Sequence, residues 1–260
     1  MSAIAVRMFG ADVLKLRKKR GTLAWALALA ILPVLILFAV RAAQHSSTPL
    51  RHGPAGGTHG FIDALRLLCA FFGPLAAILI GVEAGSGDVS AGVFRDLIVT
   101  GRSRLALFSS RIPAALIVCW SVMFVAYGLV LAGTFGFASR LPTPNLTLVL
   151  NGLGFTLLTT GVVCAVAVGF ASLTSSRVAA IAALIGWQLV ASPLIGSARS
   201  LGSAREGLLS QALVHFSPVH IGGDHGLRVT MSETTALIVV AAWLVVLLSL
   251  GAWRTRRMDA

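Results

Sequence analysis

The chain has 260 residues, of which 57% are hydrophobic and 12% charged, and its mean hydropathy is +0.89. A soluble domain has about half apolar and about a quarter charged residues, so the composition excludes a soluble globular protein and indicates an integral membrane protein. The formal net charge of +12 is typical of cytoplasmic loops that face anionic lipid, rather than of a nucleic-acid-binding protein.

The N-terminal segment predicts a helix in the membrane interface over residues 3–20. Val6, Phe9, Val13 and Leu16 recur at three- and four-residue spacing, and charged residues occupy the other face. A basic segment before an apolar stretch also resembles a signal peptide, but this stretch is long enough to span and is not followed by a convincing small-residue cleavage site. We therefore predict a retained first span.

Six apolar stretches reach the roughly 20 residues that a spanning helix needs. The chain is thus predicted to be an all-α membrane protein, with a single transmembrane domain over residues 1–260. The predicted spans are residues 22–42, 61–82, 112–135, 148–173, 178–195 and 235–253.

The distribution of Lys and Arg predicts the orientation. Fourteen of these residues fall on the side that carries both termini and seven on the other, so the positive-inside rule places both termini in the cytoplasm. The outer loops are then residues 43–60, 136–147 and 196–234. The preference for Arg over Lys hints at a GC-rich bacterium, so the predicted location is a bacterial plasma membrane.

No catalytic or nucleotide-binding motif is present in the sequence. None of the three lysines follows a glycine-rich phosphate loop, and HExxH and Gly-x-Ser-x-Gly are missing. Gly85-Ser86-Gly87-Asp88 matches the GxGD string of intramembrane aspartyl proteases, but a second spanning aspartate is missing. We expect a protein that is not an enzyme and has no cofactor of its own.

Polar residues within the predicted spans are sparse. Asp63 and Arg66 can pair on one helix face near the outer end of the second span. Buried charge tends to mark ion paths, so its absence from mid-span disfavours a secondary transporter. Gly81-xxx-Gly85 suits close helix approach, although such spacings are common in a chain with 27 glycines.

Six histidines lie in two predicted outer loops. His45, His52 and His59 are seven residues apart, and His215, His220 and His225 are five apart. Imidazole is a common metal ligand, but no carboxylate or cysteine accompanies the first group. We interpret all six as solvated loop residues and predict no metal site.

Residues 83–111 form the longest predicted cytoplasmic loop and contain helix signals of their own. Asp88 is in position for an N-cap, Val89, Val93 and Leu97 form an apolar stripe, and Gly101 is a stop signal. A helix of this kind must bury its stripe, either against the protein's own helices or against a cytoplasmic partner.

This loop resembles the coupling loop of type-2 ABC exporter permeases. An acid, then glycine, two apolar residues, Arg-Asp-Leu, two apolar residues and Thr-Gly-Arg-Ser-Arg follow the family's order over residues 83–104. The six spans, the basic N-terminal helix and the short turn at residues 174–177 agree with the family's architecture. In that family the loop forms a coupling helix in a groove of a separate ATPase subunit, and the last outer segment often dips back into the membrane.

The resemblance implies an ATPase-docking surface and a possible gate or coupling residue at Glu83. It also implies a second permease chain, as homodimer or heterodimer, with ATP and Mg²⁺ bound by the ATPase subunit. The apolar spans suit an apolar or amphipathic cargo. A non-transporting membrane scaffold or assembly factor is the alternative. The residues that would dock the ATPase are Gly92, Val93, Phe94, Arg95, Asp96, Leu97, Ile98, Arg102 and Arg104.

Overall fold

The computed structural model describes residues 3–49, 51, 53–90, 103–174, 176–219 and 231–257. These residues form helices and their connections, with no β-strand among them. Six of the helices are long and apolar enough to cross a membrane, which confirms the predicted all-α membrane fold. We number them spans 1 to 6: Arg20–Ser47, Gly57–Gly87, Arg104–Gly136, Leu146–Leu173, Arg177–Ser197 and Glu233–Arg257.

The N-terminal helix runs over Ala3–Lys18, close to the predicted bounds. Phe9 and Val13 pack against the hydrophobic core and Leu16 is buried. The helix makes its most extensive contact with span 3. Lys19 has non-helical backbone angles and separates this helix from span 1.

Span 4 is the central helix of the bundle. Every residue from 161 to 169 is buried, and span 4 packs most extensively against spans 2 and 6. By contrast, much of spans 1, 5 and 6 is exposed on the described chain.

The contact between spans 2 and 4 depends on glycine. A Cβ added at Gly81 would lie 2.5 Å from the Cys164 carbonyl oxygen, and one at Gly85 would lie 2.5 Å from that of Val168. Only a residue without a side chain fits at either position. The Gly81-xxx-Gly85 spacing is therefore used for close helix packing.

Spans 2 and 5 are each interrupted by one π-helical turn. In span 2 the turn is Leu68–Phe72, and in span 5 it is Trp187–Ala191. Pro74 and Pro193 follow these turns closely. A proline removes one backbone donor and crowds the preceding turn, so both spans depart from regular α-helix near mid-length.

The helix of span 2 continues to Ser90, and span 3 begins at Arg104. The connection between them is thus shorter than the predicted loop of residues 83–111. Asp88 lies inside a helix, so its predicted role as the N-cap of a separate helix is wrong. The Gly- and Ser-rich composition favours a loop, but here Gly85 allows the helix to continue along span 4.

The segment after span 5 turns back into the bundle. It consists of a 3-10 helix, Arg199–Gly207, and a short α-helix, Leu209–His215, which we call the re-entrant segment. The Trp243 indole of span 6 donates to the Gly207 carbonyl at 3.0 Å, and the rings of Trp243 and Trp187 are 5.8 Å apart. Since the rise is about 1.5 Å per residue, Trp187 lies roughly 15 Å along the helix from the C-terminal end of span 5.

Candidate functional site at the end of span 2

The proposed docking residues fall largely outside the described part of the chain. The docking residues that lie outside it are Gly92, Val93, Phe94, Arg95, Asp96, Leu97, Ile98 and Arg102. The described residues that flank them are Ser90, at the end of the span 2 helix, and Ser103, which caps span 3.

Glu83 is the buried centre of a charged cluster at this end of span 2. Its side chain is 3% exposed. Arg177 Nη1, at the start of span 5, lies 2.8 Å from Glu83 Oε2, and Lys19 Nζ lies 3.5 Å from Oε1. A buried carboxylate is costly unless it is paired and hydrogen-bonded, and these two cations supply the pairing.

Thr22 of span 1 completes the cluster. Its hydroxyl donates to Glu83 Oε2 at 3.1 Å and accepts from Arg177 Nη2 at 2.9 Å. The network therefore joins spans 1, 2 and 5, and through Lys19 it reaches the connection to the N-terminal helix. We call these four residues, Lys19, Thr22, Glu83 and Arg177, the Glu83 cluster.

A second set of contacts lies two residues after Glu83, at Gly85. The Gly85 carbonyl accepts from Arg111 Nη1 at 3.3 Å and from the Ser172 hydroxyl at 3.4 Å. Arg111 was the last residue of the predicted loop, but it belongs to span 3 and is 4% exposed. Spans 2, 3 and 4 are joined here.

The N-terminal helix shares a small internal space with both sets of contacts. Asp12, Lys15, Lys19, Glu83 and Arg111 all line it, together with apolar neighbours. Burial, and then the charge of Arg111, lower the pKa of Lys15 below its ordinary value. The Asp12 carboxylate accepts from the Ser110 hydroxyl at 2.6 Å, which attaches the N-terminal helix to span 3.

Arg104 contacts the last span rather than the Glu83 cluster. It is the first residue of span 3, and its Nη1 donates to the Arg256 carbonyl at 2.9 Å. Cations near a helix C-terminus are favourable, so Arg104 supports the end of span 6. It also lies directly after the connection that carries the proposed docking residues.

A second acidic centre lies at the opposite end of spans 1 and 2. Arg66 Nη1 is 3.3 Å from Asp63 Oδ1, as the three-residue spacing predicted. Arg41 of span 1 also approaches, with its Nη2 2.5 Å from Asp63 Oδ2. The Asp63 carboxylate therefore links spans 1 and 2, in addition to its pairing with Arg66 on its own helix.

The Glu83 cluster contains residues that have no sequence motif in common. Lys19, Thr22 and Arg177 are far apart in the chain and contributed only to the orientation count. One available signal was that Lys19 and Arg177 each lie just before a span, at the membrane end where Glu83 was expected. Their meeting depends on the packing of spans 1 and 5 against span 2.

The arrangement suits mechanical coupling. The buried Glu83 carboxylate connects span 2, whose helix leads into residues 91–102, with spans 1 and 5. The Gly85 carbonyl connects span 2 with spans 3 and 4. Any displacement of the span 2 end is therefore shared by most of the bundle. The described residues contain no group of three or more His, Cys, Asp or Glu side chains placed to hold a metal ion.

Residues 9–187 match the family described as ABC-2 family transporter protein. The match covers most of the N-terminal helix, spans 1 to 4 and the first half of span 5. The chain therefore belongs to the ABC-2 family, and it is a multi-pass permease subunit of an ABC transporter. Membership implies a partner ATPase. No curated protein matches the sequence.

Proposed function

We propose that this chain is the permease subunit of an exporter that moves an apolar or amphipathic substrate, with ATP and Mg²⁺ bound by a separate ATPase subunit. The observation that carries the proposal is the buried Glu83 cluster at the base of the segment that resembles a coupling loop. The absence of a P-loop from the sequence supports a separate ATPase, and the apolar spans suit such a substrate.

In this mechanism the permease contributes binding and movement but no bond chemistry. The ATPase contacts Gly92, Val93, Phe94, Arg95, Asp96, Leu97 and Ile98, with Arg102 and Arg104 next to the membrane. ATP-driven closure of two ATPase subunits displaces the end of span 2 as a rigid body. The Glu83 cluster passes this displacement to spans 1 and 5.

A second permease chain, identical or similar, completes the assembly. The exposed apolar residues of spans 5 and 6, including Val178, Leu194, Ile238 and Val245, provide surface for lipid and for such a partner. In a bacterial plasma membrane, both termini and the Glu83 end of the bundle face the cytoplasm, where ATP is available.

The experiment is purification of the tagged chain from its native membrane in mild detergent. Co-purifying proteins are identified by mass spectrometry, and the complex is reconstituted and assayed for ATP hydrolysis. We expect a soluble P-loop protein in stoichiometric amount with the wild type and with Phe94→Leu. We expect its loss with Phe94→Asp, because a charge is unfavourable in an apolar contact.

Two results would contradict the proposal. One is a P-loop partner that remains bound to Phe94→Asp, which would place the docking surface elsewhere. The other is a wild-type chain recovered without any ATPase, which would favour the scaffold alternative. Cysteine substitutions at Arg7 and Arg257, probed in intact cells with an impermeant thiol reagent, test the orientation. Both should be protected, because the reagent does not reach the cytoplasm. The native cysteines Cys69, Cys119 and Cys164 are buried and should add little background.

A further inference from the structure

The π turns of spans 2 and 5 both contribute to one cavity of about 250 Å³, which we call the head cavity. Cys69 and Phe71 come from the first turn and Gln188 from the second. Ser210 and Gln211 of the re-entrant segment close another side. At about 30 Å³ per water molecule, the volume equals roughly eight waters and accommodates a glycerol group.

A second cavity of about 290 Å³, the tail cavity, adjoins the first. The two share Val163, Gln188 and Leu209 as lining residues. Apart from Gln188, the tail cavity is lined by hydrocarbon and aromatic side chains, with Trp187 and Trp243 among them. The head cavity therefore offers polar groups, and the tail cavity offers an apolar surface.

No residue that lines either cavity carries a charge. A charged group at membrane depth is costly unless another charge or water compensates it. These cavities hold no ionic partner for a phosphate, a carboxylate or an ammonium group. They favour a ligand whose polar part is neutral.

Three of the side chains that line the head cavity, those of Gln188, Gln211 and Thr159, form no hydrogen bond with another described residue. Gln188 lies in the middle of span 5, and no other described residue forms a hydrogen bond with its carboxamide. The Thr159 hydroxyl is buried and likewise has no bonding partner in the described part of the chain. By comparison, Thr156 and Thr160 donate to carbonyls one turn earlier. Unpaired polar groups are expensive inside a membrane protein.

We propose that the head and tail cavities bind an uncharged single-chain amphiphile of the monoacylglycerol type. Its hydroxyl groups bond to Gln188 and Thr159, and its acyl chain lies against Trp187 and Trp243. This inference deepens the proposed function and rests on it for the step from binding to transport. The binding itself requires no ATPase.

The experiment uses the full chain in nanodiscs and a photoreactive monoacylglycerol with a diazirine in its acyl chain. Labelled peptides are identified by mass spectrometry. Unlabelled monoacylglycerol and lysophosphatidylglycerol with the same acyl chain serve as competitors. We expect saturable labelling of the peptides that contain Trp187 and Trp243, displaced by the neutral lipid and not by the charged one.

Two variants test the polar contacts. Gln188→Leu and Thr159→Val should each weaken competition about five- to tenfold, the effect of losing one hydrogen bond to the ligand. The matched control is Thr160→Val, one position along, which lines neither cavity and should bind as the wild type does. Ligand-free thermal stability should not fall in Gln188→Leu or Thr159→Val, because each replaces an unpaired polar group with an apolar one.

Labelling displaced equally by both lipids overturns the proposal, and so does an equal loss of binding in Thr160→Val. Phe94→Asp separates this inference from the exporter proposal. It removes the expected ATPase contact and should leave photolabelling unchanged. Saturable labelling without ATP-coupled transport would refute the exporter proposal alone, and coupled transport without saturable labelling would refute the cavity assignment alone.

Discussion

The guanidinium of Arg177 lies 2.8 Å from the carboxylate of Glu83 and thereby joins the start of span 5 to the end region of span 2. Glu83 is 3% exposed, whereas the Arg177 and Lys19 side chains are 36% and 43% exposed. The carboxylate is thus the desolvated member of the cluster. Loss of its charge leaves two cations facing each other across the same space.

Glu83→Gln should therefore destabilise the protein. The amide keeps the shape of the side chain, but the charge-assisted hydrogen bonds become neutral ones, at an expected cost of about 1–3 kcal/mol in the free energy of unfolding. Thermal unfolding of the purified protein in detergent measures the change. Glu233→Gln, which removes an exposed acid in the first turn of span 6, is the matched control and should have a smaller effect. Equal unfolding temperatures for Glu83→Gln and wild type would contradict this account.

Gly81→Ala should loosen the contact between spans 2 and 4. The new methyl would lie 2.5 Å from the Cys164 carbonyl oxygen, so the two backbones must separate. Overpacking of this kind costs about 1–3 kcal/mol. The control is Gly128→Ala, where an added Cβ has nothing within 4 Å. Thermal unfolding should show a lower midpoint for Gly81→Ala only, and a similar drop for both variants would show that the close contact is not the cause.

Trp243→Phe tests the depth of the re-entrant segment. Phenylalanine keeps an aromatic ring beside Trp187 but cannot donate to the Gly207 carbonyl. A carbonyl left unbonded at membrane depth costs about 1–3 kcal/mol, so stability should fall and residues 199–215 should exchange amide hydrogens faster. Trp25→Phe is the control, because Trp25 is 70% exposed. Unchanged exchange in Trp243→Phe would mean that another group satisfies Gly207.

The N-terminal helix offers a pH-dependent test. Burial and the nearby charge of Arg111 lower the pKa of Lys15 below 10.5, so Lys15 should lose its proton at a lower pH than an unperturbed lysine. Acetylation, which requires the neutral amine, should reach its half-maximal rate below pH 10.5. Arg111→Gln should shift this midpoint upward, because the larger of the two neighbouring positive charges that lower the pKa of Lys15, those of Arg111 and Lys19, is removed. Mass spectrometry of Lys15, with Lys18 as the reference for reagent access, gives the profile, and a midpoint unaffected by Arg111→Gln would remove Arg111 as a cause.

The number and approximate position of the spans could be predicted because each apolar stretch must cover the membrane thickness. The C-terminal bound of span 2 could not be predicted in this way. Glu83 to Asp88 has the composition of a loop, yet it is helical because span 4 buries Gly85 and because Lys19 and Arg177 pair with Glu83. Both causes lie in distant parts of the chain.

The same reason explains which parts of the candidate sites were missed. Glu83 could be singled out from its place before the coupling segment, but its cationic partners depend on helix packing. Gln188 carried a weaker signal, a lone carboxamide within an apolar span. Its position between two cavities required the π turns and the re-entrant segment, which no local pattern indicates.

Spans 1 and 2 are joined near both ends, by Arg41 with Asp63 at one end and by Thr22 with Glu83 at the other. These contacts fix the two spans relative to each other near both ends. The π turn Leu68–Phe72 is the irregular part of span 2 between these two contacts. Under the proposed coupling mechanism, a displacement of the Glu83 end of span 2 would pass through this π turn before it reaches Asp63, so we expect bending of the span to be concentrated there.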